Sequence, residues 1–262
     1  DRLGNRMRLT PPAIKVAAEE LDLTVIQPEK VRSAEVVAQI RETAPDLIVV
    51  VAYGQIIPPS ILEIPAQGVL NVHGSLLPRH RGAAPIAHAI LAGDQQTGVT
   101  IMAMDELLDH GPIVSLRAVE IGPDEDAFQL GNRLAPLGAE LLVETIANLS
   151  AIKPRQQDHR AATLAPKLVR TDGELSWTAS AMDIDRRVRA FQPWPGVTIP
   201  WAGGRIKILR GAPESGVGQP GSVIHRDREG LVVATGSGAY RLNEVQVPGK
   251  RPMNASGLIA SA

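Results

Sequence analysis

Hydrophobic positions change their period several times along the chain, and the changes outline the elements. Residues 11–21 (PPAIKVAAEEL) open on prolines and then repeat apolar positions at helical spacing, which predicts a helix with Pro in its first turn. LTVIQ (23–27) is a short β-branched run, and 33–44 (SAEVVAQIRETA) reads as a helix with Ser33 as N-cap. DLIVVVAY (46–53) and GVLNVH (68–73) are continuous apolar runs, the signature of strands buried on both faces of a parallel sheet. Between and after them come a helix closed by glycine at 83–93, a strand at 97–104, and a long helix over 124–149 with one internal proline. Strands alternating with helices predict an α/β fold built on an open, mostly parallel sheet.

From about residue 151 the texture changes. IKPRQQDHRAATLAPKLVRTDG is polar and basic and reads as an extended linker. A helix follows at 180–191, and PWPG then breaks the chain. Five short apolar runs separated by glycines come next: GVTIPW, RIKILRG, GSVIHR, GLVVATG and GAYRLNEVQV. They suit a small β-barrel, with an oligonucleotide-binding type as one option. The predicted organisation is a first domain over 1–150, a linker over 151–171 and a β-barrel domain over 172–262.

Composition narrows the chemistry. The 262 residues include no cysteine, which rules out disulfides, thiolate metal sites and a cysteine nucleophile. No apolar run approaches the roughly 20 residues of a membrane-spanning helix, so no membrane partner is expected. No signal-peptide pattern opens the sequence, and a cytoplasmic monomer is the expectation. The net charge of −1 hides an asymmetry: residues 1–150 hold 11 Lys/Arg against 19 Asp/Glu, 151–171 hold 5 against 1, and 172–262 hold 11 against 8. An acidic front and a basic rear suit a rear half that meets a polyanion, although a solvated basic surface would look the same.

The densest chemistry lies in NVHGSLLPRHRGAA (71–84). Asn71 and His73 are two apart on one strand and share a face. An amide donor beside an imidazole can hold an oxygen that is acquiring negative charge, worth about 3–4 kcal/mol per well-placed donor. An isolated Asn-x-His is otherwise a turn cap and a hydrogen-bonded core histidine; the loop of amides and two arginines that follows is more than a core strand needs. Asp109 falls just after the next strand, two residues before Gly111, either as a turn former or as a carboxylate orienting His73. His80, His88, His110, His159 and His225 show no metal-ligand spacing, and no catalytic metal is predicted.

These segments carry a resemblance. NVHGSLLPRHRGAAPIAHAILAGDQQTGVTIMAMDELLDHGPI resembles the central segment of the 10-formyltetrahydrofolate-dependent formyltransferases, and more narrowly that of their methionyl-tRNA branch. The likeness continues in AYGQIIP, ATLAPKL, SWTASAMDIDRRVRAFQPWPG and PGKRPM. It implies a Rossmann-like first domain, a C-terminal barrel that contacts tRNA, and Asn71, His73 and Asp109 as the catalytic triad. Ser75, Leu76, Leu77 and Pro78 match the family's folate-binding loop. The implied substrates are 10-formyltetrahydrofolate and initiator methionyl-tRNA. The family's opening strand, glycine-containing loop, helix and second strand fall ahead of Asp1, and residues 1–10 resemble the end of a basic loop that approaches the acceptor stem. A sheet without that first strand would have an unpaired edge. Leu107 departs from the pattern, where glycine is common.

The implied chemistry is direct transfer. The deprotonated α-amine attacks the formyl carbon, Asn71 and a protonated His73 stabilise the oxyanion, and Asp109 sets the imidazole's charge and helps relay the amine proton. Two rivals remain open on sequence grounds: a formyltransferase of an amino sugar or other small amine, and a tRNA-binding protein with an inactive catalytic domain.

Overall fold

The computed structural model describes residues 11–258 together with the backbone of a short antiparallel ladder, β1 (Arg2–Leu3) with β2 (Arg8–Leu9). The reading of 1–10 as the end of a basic loop otherwise lies outside the described residues. Helix α1 spans Ala13–Glu20 and α2 spans Ala34–Glu42, where Ser33 Oγ accepts the Val36 N–H at 3.4 Å, the expected N-cap. LTVIQ forms no strand. Leu23 and Ile26 are exposed and Val25 is half-buried.

Four strands make the first sheet: β3 (Ile48–Val51), β4 (Val69–His73), β5 (Gln96–Ala103) and β6 (Ile113–Glu120), in that spatial order. The short helix α3 (Pro59–Leu62) lies between β3 and β4, and its Ile61 packs with Val31, Val36 and Val37 in a small separate core. β3 and β4 run parallel, whereas β4–β5 and β5–β6 are antiparallel. Among the described residues β3 pairs with β4 alone, and Val51 is exposed where burial on both faces was expected. β6 was not evident in the hydrophobic pattern: after the buried Ile113 and Val114 its SLRAVE alternates between half-buried and exposed positions, as an edge strand does.

Helix α4 (Pro85–Ala92) ends at Gly93, whose φ of 71° provides the left-handed cap. Helix α5 (Ala127–Ala147) begins with a capping box between Asp126 and Gln129 and tolerates Pro136 in its interior. α5 covers one face of the sheet: Gly138 presses so closely on Val72 that an added Cβ would lie 3.3 Å from its Cγ1. Because β4 alternates, Val72 on that covered face leaves Asn71 and His73 on the opposite one.

Helix α6 (Ala181–Ala190) is capped by Ser180 Oγ, which accepts the Asp183 N–H at 3.0 Å. All five anticipated strands of the rear half are present: β7 (Val197–Trp201), β8 (Gly204–Glu214), β9 (Val223–Arg226), β10 (Leu231–Ala234) and β11 (Ala239–Gln246). A two-residue β12 (Met253–Asn254) adds to β11. They form one antiparallel sheet of order β7-β8-β11-β10-β9. The β7–β8 hairpin turns on Ala202 and Gly203, both at positive φ, while Gly204 already pairs with Trp201. α4 packs on α6, and one apolar cluster runs from Leu70, Ile90 and Val99 through Ile184 and Phe191 to Ile206, Val233 and Tyr240.

Candidate active site

The direction of β5 decides where the site assembles. Since β5 runs antiparallel to β4, its last residue Ala103 pairs with Leu70, at the start of β4. The 104–112 loop must therefore fold back along the open face of β4 for Asp109 to reach Asn71 and His73. Two contacts keep it there: the Ala103 N–H donates to the Pro112 carbonyl at 2.9 Å, and Gly111 sits where any Cβ would overlap the Ala103 carbonyl oxygen. Asp109 itself takes a φ of 46°, a left-handed conformation that Asp tolerates better than most residues. Leu107 needs no such conformation: it is not among the residues at positive φ, and its N–H donates to Asp105 Oδ1 at 3.0 Å.

The structure brings Asn71, His73 and Asp109 together. Asn71 Nδ2 donates to Asp109 Oδ1 at 3.3 Å, the Gly82 N–H donates to Oδ2 at 2.7 Å, and His73 Nδ1 lies 3.7 Å from Oδ2. Nε2 of His73 is 2.9 Å from the His80 carbonyl. A carbonyl can only accept, so the proton is on Nε2 and the Nδ1 lone pair faces Asp109. Burial pushes the His73 pKa below its ordinary value, with the Asp109 carboxylate and the His80 carbonyl opposing it. At neutral pH the resting ring therefore carries no extra proton, and the protonated His73 inferred from the sequence belongs to the step in which the oxyanion forms.

The Ser75–Pro78 loop is tied to the sheet by Thr100, which pairs with His73. Thr100 Oγ1 donates to the Ser75 carbonyl at 2.7 Å and accepts the Leu77 N–H at 3.2 Å. Ser75 Oγ turns inward to the Arg79 carbonyl, and Leu77 packs with Met102 and Ile113. Leu76 and Pro78 are half-buried, so this loop presents backbone and two apolar side chains, not the Ser75 hydroxyl.

The segment over 151–171 is not a free tether. It pairs with Ile113 through Arg155 and with Arg81 through Leu164, and it carries Gln157 into the site. Gln157 is only 5% exposed. Its Nε2 donates to the carbonyls of Asp109 (2.9 Å) and Gly111 (2.7 Å), while Oε1 accepts from Arg81 Nε (3.2 Å) and a terminal nitrogen (2.6 Å). His159 accepts from Arg81 at 2.9 Å and stacks on His110 with ring centroids 4.0 Å apart. Sequence reasoning missed Gln157, because a glutamine in a polar stretch carries no periodicity. Among the described residues, no three of His, Cys, Asp and Glu cluster to hold a metal ion.

An amide donor, a neutral imidazole and a fixed carboxylate on one open sheet face suit acyl-type transfer without a covalent enzyme intermediate. Comparison with known proteins gives the class: residues 3–146 match the family described as formyl transferase, and residues 167–262 match the formyl transferase C-terminal domain. The chain is 44% identical over 259 residues to the methionyl-tRNA formyltransferase of Geobacter metallireducens, covering 98% of this chain and 83% of that protein. It is 45% identical over 253 residues to the methionyl-tRNA formyltransferase of Thermus thermophilus, covering 97% and 83%. The chain belongs to the methionyl-tRNA formyltransferase family. Its fold is shared by HypX from Aquifex aeolicus in complex with tetrahydrofolic acid (TM-score 0.63, 21% identity, 84% of this chain and 40% of that one). A likely sugar N-formyltransferase from Mycobacterium tuberculosis shares it too (TM-score 0.61, 24% identity, 75% and 89%).

Proposed function

We propose that this chain transfers the formyl group of 10-formyltetrahydrofolate to the α-amine of initiator methionyl-tRNA, with Asn71, His73 and Asp109 as its catalytic residues. The observation that carries the assignment of roles is the convergence of all three on the open face of β4, with Nδ1 of His73 free toward Asp109.

The amine nitrogen attacks the formyl carbon, and the carbonyl electrons move onto oxygen. One N–H of Asn71 is held by Asp109 and the other is free to donate to that oxyanion. Nδ1 of His73 takes the proton from the attacking nitrogen, and the imidazolium so formed is paired with the Asp109 carboxylate. Collapse breaks the bond between formyl carbon and folate nitrogen, and the proton passes to that nitrogen. Most of the acceleration comes from holding the two substrates against one another. The backbone of Ser75–Pro78, with Leu76 and Pro78, is the assigned folate contact.

The acceptor reading draws on charge. The 151–171 segment, a strap over the site, lines a cleft together with α4 and α6 that holds Lys167, Arg186 and Arg187 against Asp172 and Asp183. The domain limits 1–150 and 172–262, joined by the 151–171 strap, belong to the same proposal, as do a monomeric state and a cytoplasmic setting, where charged tRNA is found. None of the helices in the described residues is long and apolar enough to cross a membrane.

The test is formylation of charged initiator tRNA by Asn71→Ala and His73→Ala, with amino-sugar nucleotides as alternative acceptors. Each variant is expected to lose at least about a hundredfold in kcat, by the scale of a lost oxyanion donor for Asn71 and of a lost general base for His73, while tetrahydrofolate binding persists. Full turnover in both variants would overturn the roles, and turnover confined to amino sugars would overturn the acceptor.

A further inference from the structure

His80 stands outside the triad and touches it only through its backbone. It is buried, and its φ of 59° lies in the left-handed region, uncommon outside glycine although histidine enters it more readily than most residues. Two contacts hold it in that turn: its Nε2 is 2.7 Å from Asp94 Oδ2, and its N–H donates to Thr163 Oγ1 at 2.9 Å. Asp94 in turn is fixed by Arg79, whose guanidinium donates to the other carboxylate oxygen at 2.6 Å. Asp94 follows Gly93, the left-handed cap of α4, so the anchor sits on a helix end.

The turn aims the His80 carbonyl at Nε2 of His73. That bond works against the pull of Asp109. A carboxylate facing Nδ1 favours a proton on Nδ1, and a ring so protonated has no lone pair left on the substrate side. Among the described residues the acceptor at the other nitrogen is the His80 carbonyl.

We propose that the Asp94–His80 pair is a positioning device for His73: it holds residue 80 in the left-handed turn whose carbonyl keeps the His73 proton on Nε2 and leaves Nδ1 free. This rests on the proposed role of His73. The charged and titratable groups around the device are Asp94 and Arg79 on His80, His88 nearby, and Asp109 on His73.

The experiment is nitrogen-15 NMR of the His73 imidazole in the full chain at neutral pH, in the wild type and in Asp94→Ala. The wild type is expected to show the Nε2–H form alone. Asp94→Ala is expected to show a mixture of both neutral forms, with kcat about tenfold lower and KM for the folate within twofold. Should Asp94→Ala not fold, Thr163→Val, which removes only the acceptor of the His80 N–H, is read in the same way. A wild-type His73 carrying its proton on Nδ1 overturns the proposal without any variant. So does a variant that loses turnover with an unchanged His73 spectrum, since that is a structural effect alone. The spectrum does not depend on turnover: a wild type inactive toward methionyl-tRNA would overturn the proposed function and leave this test intact.

Discussion

Replacing Gln157 by Leu removes one buried side chain and leaves three partners exposed to the same loss. Arg81, 8% exposed, loses the oxygen that receives two of its N–H groups, and the carbonyls of Asp109 and Gly111 lose their donor. A buried bond to a charged group is worth about 1.5–3 kcal/mol and a neutral one about 1 kcal/mol. Arg81 keeps its contact with His159, so a net destabilisation of about 3 kcal/mol is expected, a fall in Tm of roughly 6–12 °C. The catalytic effect is separate. The two lost carbonyl bonds hold the turn at Asp109 together with the Ala103–Pro112 bond, and a displacement of about 1 Å there costs on the order of a hundredfold. Gln157→Glu separates the two effects, because it keeps an acceptor for Arg81 but opposes two carbonyls with a carboxylate. Its Tm should fall less than that of Gln157→Leu while kcat falls as far. Thermal unfolding and steady-state formylation read both. A Gln157→Leu protein with wild-type Tm and kcat would refute the reasoning.

Burial lowers the pKa of His73, so NMR titration of its ring is expected to show it neutral above the ordinary histidine value of 6.5 and gaining a proton only below it; protonation beginning above 6.5 would contradict a neutral resting ring. His88 is pushed down by burial as well. The unfolded chain therefore binds protons that the fold excludes, and stability is full above 6.5 and lost as pH falls toward the folded-state values. His73→Gln should flatten that slope in denaturant titrations. Gly111→Ala drives a Cβ into the Ala103 carbonyl oxygen and must displace the loop carrying Asp109; kcat should drop at least about tenfold, the effect of a sub-ångström shift on the same scale. Tyr240 is fully buried and its hydroxyl has no partner among the described residues, with burial and Asp185 both raising its pKa. Tyr240→Phe removes an unsatisfied group worth about 1 kcal/mol or more, and Tm should hold or rise; a clear fall would reveal a partner for the hydroxyl.

Most elements could be read along the chain because they follow from local periodicity and capping. Ser33 and Ser180 mark their helices, Gly93 closes α4, and the glycines between 196 and 239 divide the five strands of the second sheet. Asn71 and His73 were placed on one strand face by alternation alone. LTVIQ, expected from its β-branched residues to be extended, is not part of a strand among the described residues.

What the linear order could not hold is strand direction and long-range contact. Asp109 was expected beside His73 because it follows the next strand of a parallel sheet. It reaches His73 because β5 runs the other way and its loop folds back. Gln157 is 48 residues from Asp109, and Thr163 is 83 from His80; only the strap packed over the site brings each pair together. The sequence by itself determined which groups are available: an amide, an imidazole and a carboxylate. Tertiary structure alone decided the charge and tautomer of that imidazole, because these depend on burial and on a backbone carbonyl held in place by residues distant along the chain.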